Sequence, residues 1–225
     1  MRNLLPLFLD LTGRDVLLVG GGPVAAAKLR QLRAAGARVR VVSPLVLAEI
    51  AAAEEGEGGV EILRRPFAPA DLDGVWLVVA AATPEVNRQV AEAASIRRLF
   101  VNAVDDPDNA TAYLSGVVRR DDVTIAISTS GAAPALTALL REAIDAVLPG
   151  DLATWLRTAG EQRLRWRRDR IAMEARKPLL LRALNAIYEP DTLSGDPRDL
   201  SHLDYPVAAT TPKVPWLSGP EDSWL

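Results

Sequence analysis

Cysteine is absent from this chain of 225 residues, and histidine occurs once, at His202. The first absence excludes disulfides, thiolate metal sites and iron–sulfur clusters. The second excludes a conventional histidine-based zinc or iron centre, so no protein metal site is expected, and any metal chemistry would use carboxylates or the nitrogens of a substrate. No apolar run approaches the roughly 20 residues of a membrane-spanning helix, and the opening MRNLLPLFLD is too short and too soon interrupted for a secretory signal. A cytoplasmic location is the expectation. Lys and Arg number 26 against 29 Asp and Glu, a net charge of −3, which gives no reason to expect nucleic acid or an anionic membrane as main partner. Any cationic binding site must be local.

What is present is a fingerprint. Val16-Leu17-Leu18-Val19-Gly20-Gly21-Gly22-Pro23-Val24-Ala25 is an apolar run broken by glycines where an alanine-rich helical pattern begins. It reads as strand, phosphate-binding turn, helix, with G-x-G-x-x-A spacing at Gly20, Gly22 and Ala25. Gly20 permits the tight turn, Gly22 lets the backbone approach a pyrophosphate, and Ala25 lets the helix lie close to the strand. The helix, with Pro23 in its first turn, would present free amides and a positive dipole end at Pro23 and Val24. Its pattern runs over 24–35 to a C-cap at Gly36, and Val39-Arg40-Val41-Val42 follows as a second strand. One element is missing: no Asp or Glu closes that strand to hold an adenosine ribose. Ser43 and Pro44 stand there instead, so charge does not decide between NAD and NADP.

Residues 4–11 read as a strand or lead-in segment. Helical spacing over 45–55 stops at a glycine loop, a short strand covers 60–64, and the continuous apolar run 75–82 is a central strand buried on both faces. A helix covers 84–95, with Thr83 just before it a cofactor-binding candidate, and 99–104 is another core strand. Strands alternating with helices imply a Rossmann-type, doubly wound parallel α/β sheet. From about Thr111 the pattern changes to a hairpin, with strands over 112–118 and 123–128 around a turn at Arg119-Arg120-Asp121-Asp122. An amphipathic helix covers 134–147, and a basic helical section runs from 152 to about 187, interrupted near Pro178.

Two later motifs narrow the reading. Val101-Asn102-Ala103-Val104-Asp105 ends a core strand with an asparagine and a carboxylate, and Ile127-Ser128-Thr129-Ser130-Gly131-Ala132-Ala133-Pro134 leads into a helix. With the glycine turn, and with Ala81-Ala82-Thr83 followed by Asn87, the chain resembles the siroheme-synthase amino-terminal family over roughly 5–187. These are precorrin-2 dehydrogenases, many of them also sirohydrochlorin ferrochelatases. The resemblance implies an NAD-binding Rossmann domain (1–112), a small α+β dimerisation domain (113–150) and a helical carboxy-terminal domain (151–189). Residues 190–225, rich in Pro, Asp, Ser and Thr, form a tail with no counterpart. Tyr113-Leu114-Ser115-Gly116 departs from the family, which has a proline soon after this point.

The resemblance also implies NAD as cofactor, precorrin-2 and sirohydrochlorin as tetrapyrrole substrates, Fe(II) as a further substrate, and a homodimer whose sites form between subunits. The methyltransferase domain of fused siroheme synthases is absent, so a separate methyltransferase would supply precorrin-2. Asp105 matches the family's key aspartate and would accept a proton, whereas the residues alone also read as a turn, Asp105-Asp106-Pro107-Asp108-Asn109. Ser128, Thr129 and Ser130 are substrate-side candidates, with helix capping as the plainer role; in the family a hydroxyl matching Thr129 can be phosphorylated. A substrate with eight carboxylates needs arginines. Arg119, Arg120 and Arg141 are the candidates, with Arg163, Arg165, Arg167, Arg168 and Arg170 behind them, although a charge run also serves as a solvated face. Trp155 and Trp166 read as packing residues. The rival reading is a non-catalytic NAD-sensing regulatory domain, and a third is a chelatase without dehydrogenase activity.

Overall fold

Short β-branched runs with no polar face build the centre of the molecule. In the computed structural model, which describes residues 4–54 and 59–188, five strands lie parallel: β1 (Asp15–Val19), β2 (Arg38–Val42), β3 (Val60–Leu63), β4 (Leu77–Ala80) and β5 (Phe100–Ala103). Their order is β3-β2-β1-β4-β5, so the chain reverses direction across the sheet between β1 and β4. Helices α1 (Pro23–Ala34), α2 (Ala48–Glu54) and α3 (Pro84–Ile96) cover the faces. Alternate residues of β1 feed two cores. Val16 and Leu18 pack with Leu29, Leu32 and Ile50 of α1 and α2, and Leu17 and Val19 with Val90 and Ala94 of α3. The expected doubly wound α/β sheet is the observed one.

Helix ends are set by left-handed residues. Gly36 (φ +77) closes α1, with the Ala37 amide donating to Leu32 O at 3.2 Å and the Gly36 amide to Arg33 O at 2.9 Å. Arg98 (φ +56) closes α3 in the same way, its Leu99 amide donating to Ala94 O at 3.0 Å.

The lead-in 4–11 forms no strand. Leu5, Leu7, Phe8 and Leu9 are exposed and only Leu11 is buried, so no sheet edge takes this segment up. Further along, β6 (Gly116–Arg120) and β7 (Val123–Ile127) make an antiparallel pair that joins no other strand. The turn is shorter than the sequence suggests. Arg119 and Arg120 belong to β6, opposite Thr124 and Val123, because Asp121 (φ +52) makes the reversal with Asp122 alone. Helix α4 (Pro134–Val147) packs on this hairpin but leaves Leu136, Leu139 and Val147 exposed.

The chain divides into two compact units, 1–150 and 151–225. The described part of the second holds α5 (Leu152–Arg168) and α6 (Met173–Tyr188), joined through Trp155 Nε1 donating to Tyr188 Oη at 2.6 Å. The break falls at 169–172 rather than at Pro178. Arg170 (φ +54) takes the left-handed position after α5, and the Ile171 amide donates to Trp166 O at 3.0 Å. Pro178 lies within α6, in its second turn, where it forfeits a single i→i−4 bond. His202 and the 190–225 tail lie outside the described residues, among which no helix is long and apolar enough to cross a membrane.

At Gly20 the backbone has φ +127, and a Cβ would sit 2.2 Å from Ala81 O; at Gly22 a Cβ meets nothing within 4 Å. Gly20→Ala is therefore expected to lower the unfolding free energy by about 2 kcal/mol or more. Gly22→Ala should stay within about 1 kcal/mol of wild type in the same urea denaturation series.

Candidate active site

The glycine turn connects β1 to α1 at the carboxyl edge of the sheet. The Gly20 amide donates to Val42 O at 3.0 Å, holding the start of the turn against the end of β2. Gly21, which the G-x-G spacing skips, is constrained as tightly as Gly20: a Cβ there would lie 1.9 Å from Leu45 O, and its own carbonyl accepts from the Leu47 amide at 2.9 Å. The third consecutive glycine was the available signal. Gly22 is the N-cap of α1, Pro23 follows in the first turn, no side chain caps the helix, and no acidic residue lies in that turn. The first-turn amide of Val24 and the positive end of the helix dipole thus face open space, a donor set that suits a diphosphate.

Ser43 is buried and spends its hydroxyl on Leu45 O at 2.7 Å, which shapes the loop after β2; Pro44 beside it is exposed. Thr83 is the exposed N-cap residue of α3, and its hydroxyl helps hold the Glu85 carboxylate below its ordinary range, after Glu85's own backbone amide. Asn87, buried on α3, receives the Ala82 amide at 3.0 Å and reaches Val104 O at 3.5 Å. It ties the loop after β4 to the end of β5.

A cleft of about 240 Å³ opens at that end of β5. Asn102, Asp105, Asp106 and Tyr113 line it from one side, Ser128, Thr129 and Thr137 from another, and Lys28 of α1 closes it. Two neighbouring carboxylates there differ in kind. Asp106 is a turn residue, receiving Asn109 Nδ2 at 2.7 Å. Asp105 is exposed, sits at φ +55, and has no hydrogen bond or ion pair among the described residues. A non-glycine residue in the left-handed region with an unspent carboxylate is a strained, available group. Asn102 is 6% exposed; its Nδ2 donates to Ala112 O at 3.0 Å, while Oδ1 is buried without a partner. Both groups are acceptors awaiting donors.

Thr129 Oγ1 shares a hydrogen bond with Thr137 Oγ1 at 2.9 Å and accepts from the Ala133 amide at 3.2 Å, a turn-stabilising role before α4. Ser128 Oγ accepts from the Ser130 amide at 3.1 Å, and Ser130 (φ +54) is not part of the lining. The three arginine candidates of this unit also lie outside the lining. Arg120 donates to Leu148 O, Asp145 O and Asp145 Oδ1 at 2.7–2.9 Å, stapling the hairpin to α4; Arg119 and Arg141 are exposed. On α5, Arg168 pairs with Asp169 at 2.8 Å. Among the described residues no group of three or more His, Cys, Asp or Glu is placed to hold a metal ion.

Lys28, Asn102, Tyr113, Ser115 and Thr137 are among the lining residues that sequence reasoning did not nominate. Lys28 had a signal: it stands three residues after Ala25 and four before Leu32, on the sheet-facing stripe of α1 where its neighbours are apolar.

A five-stranded parallel sheet with a glycine turn at its switch point and a polar cleft beyond its carboxyl ends defines an α/β dinucleotide-binding protein of the Rossmann type. Comparisons carry this further. A family described as "Putative NAD(P)-binding" matches residues 7–116, and one described as "Sirohaem biosynthesis protein central" matches 120–146. Siroheme synthase 1 of Pectobacterium atrosepticum is 45% identical over 176 residues, 78% of this chain and 36% of the relative. Siroheme synthase 1 of Cronobacter sakazakii is 37% identical over 98% of this chain and 48% of its own length. The chain thus spans less than half of each of these relatives. A solved structure titled SirC, precorrin-2 dehydrogenase, superposes with a TM-score of 0.64 at 26% identity, covering 84% of this chain and 94% of that one. The chain belongs to the siroheme-synthase amino-terminal family.

The contrast between the two carboxylates predicts opposite stability effects. Asp105→Gly, which relieves the left-handed backbone and removes no bond, should raise the unfolding free energy by up to about 1 kcal/mol. Asp106→Ala, which strips Asn109 of its acceptor, should lower it by about 1 kcal/mol, both read by chemical denaturation.

Proposed function

We propose that the chain is an NAD-dependent dehydrogenase that oxidises precorrin-2 to sirohydrochlorin on the route to sirohaem. The observation that carries this reading is the unspent Asp105 carboxylate in a cleft at the carboxyl edge of a dinucleotide-binding sheet. The family relationship supports the substrate. Gly20, Gly22, Pro23 and Val24 would hold the diphosphate, with Ser43, Pro44 and Thr83 bordering the cofactor. NAD, when bound, supplies the two-electron acceptor for a hydride. The macrocycle loses that hydride, with its two electrons, to the nicotinamide and loses one proton; the bond pair the proton leaves behind becomes a further double bond. Asp105 takes the proton on a carboxylate oxygen. Asn102 Oδ1, buried and lacking a donor, would receive a pyrrole N–H and fix the ring's register.

The same carboxylate favours iron insertion as a second activity. Exchanging Fe(II) for two pyrrole protons requires a base that takes them one after the other and passes each to solvent, and Asp105 is the exposed, unspent carboxylate of the cleft. Ser128 and Thr129 would contact the substrate edge, while Ser130 shapes their turn. The exposed Arg119 and Arg141 would serve its peripheral carboxylates, and Arg120 acts through the hairpin it braces. A cleft of about 240 Å³ is smaller than the roughly 300 Å³ or more usual for small-molecule pockets. With Leu136, Leu139 and Val147 exposed on α4, this supports a homodimer in which a second copy completes the site; the change from the parallel sheet to a separate antiparallel pair after β5 supports a division at 112/113 between cofactor and dimerisation domains. A separate methyltransferase would supply precorrin-2.

Anaerobic incubation with enzymatically generated precorrin-2 and NAD, or NADP in parallel, tests the reading. NADH appearance with the sirohydrochlorin spectrum is expected, and Asp105→Ala should slow it by about 100-fold or more while still binding NAD. A wild-type protein that binds NAD yet converts nothing would instead be an NAD-sensing regulatory domain. Adding Fe(II) afterwards reads the second activity against a no-enzyme control.

A further inference from the structure

Of the ionisable groups that line the cleft, Lys28, Asp105, Asp106 and Tyr113, only Lys28 is a cation. It is half-buried and, among the described residues, makes no ion pair. A partly desolvated ammonium on a helix face otherwise given to Ala25, Ala26, Leu29 and Leu32 contributes little to packing and is unfavourable unless a charge compensates it. Of the two carboxylates in the lining, Asp106 is held in its own turn by Asn109 Nδ2 at 2.7 Å, whereas Asp105 is unspent and is the one whose charge reaches Lys28; the Tyr113 hydroxyl donates to Pro107 O at 3.1 Å. Asp105 acts on Lys28 electrostatically across the cleft, opposing the downward pull that burial exerts on the ammonium.

We propose that Lys28 is the positioning residue for Asp105: ammonium on α1 and carboxylate at the end of β5 form one charge couple that holds the carboxylate toward the cleft for proton transfer. This rests on the dehydrogenase reading for its chemistry, though not for its geometry. Lys28 stays an ammonium throughout, and the substrate proton bonds to an Asp105 oxygen. The couple also links the two halves of the site, because Lys28 rides on the helix whose first turn faces the diphosphate.

The chain has three lysines, Lys28, Lys177 and Lys213, so lysine labelled with 13C at Cε gives three NMR signals, of which Lys28→Arg removes and thereby assigns one. In the cofactor-free protein, Asp105→Asn should lower the Lys28 titration midpoint by about 0.5 pH unit or more, since it removes the attraction that favours the ammonium. In the NAD and precorrin-2 assay, Lys28→Met should reduce kcat about tenfold or more with the NAD Kd held within about twofold, and Lys28→Arg should recover most of the loss. An unmoved Lys28 midpoint overturns the couple. So does a Lys28→Met protein with wild-type kcat, or one whose main defect is NAD affinity, which would make Lys28 a diphosphate ligand. If the wild-type chain turns over nothing, the dehydrogenase reading falls, and the titration decides the couple by itself.

Discussion

Everything functional in this molecule depends on how closely two backbones approach at the switch point of the sheet. β1 and β4 are hydrogen-bonded neighbours, yet the chain leaves them toward opposite faces, and the turn after β1 passes so near the Ala81 carbonyl that a Cβ at Gly20 would stand 2.2 Å from it. Only glycine accepts both that approach and φ +127. Gly21 repeats the constraint on the other side, against Leu45 O. With the turn compressed between the loops after β2 and β4, α1 begins at the sheet edge, and the space beyond Gly22 stays open.

The cleft inherits its character from the end of β5. A buried strand delivers Asn102 into a place where its amide is half satisfied, and three residues later the chain turns through Asp105 in a left-handed conformation. Neither the orphan oxygen nor the left-handed backbone helps the fold. A glycine at 105 would relieve the backbone, and the Asn102 oxygen stays unpartnered although its Nδ2 serves Ala112 O. Stability given up at two positions three residues apart, in a cleft beside a cofactor-type turn, is the usual signature of groups kept for chemistry. Asp106, one residue on, shows the alternative: its carboxylate is absorbed by Asn109 and serves the loop.

The sheet was legible in the sequence because its strands are short and punctuated by glycine, with the central β1 and β4 buried on both faces and β2 and β3 alternating, so period and composition agree. The Asp105 and Thr129 motifs were legible because strand ends and helix starts mark themselves. Other parts depended on tertiary context. The α5–α6 break was hidden because Arg170, not glycine, takes the left-handed position, while Pro178 offered a more visible and wrong boundary. Arg119 and Arg120 looked like turn residues, but a reversal through Asp121 and Asp122 leaves them in register with β7. Lys28 escaped notice because a lysine in an amphipathic helix is ordinarily solvent-facing, and only the packing of α1 on the sheet turns it toward β5.

These pieces join in one claim: the glycine turn and the Asp105 cleft are two ends of a single site, bridged by the cofactor. The most direct test is a crystal structure of the protein with NAD. The diphosphate on the Gly22–Val24 turn with the nicotinamide ring facing the Asp105 cleft is the predicted result. NAD bound elsewhere, or with the nicotinamide turned away from Asp105, would contradict it.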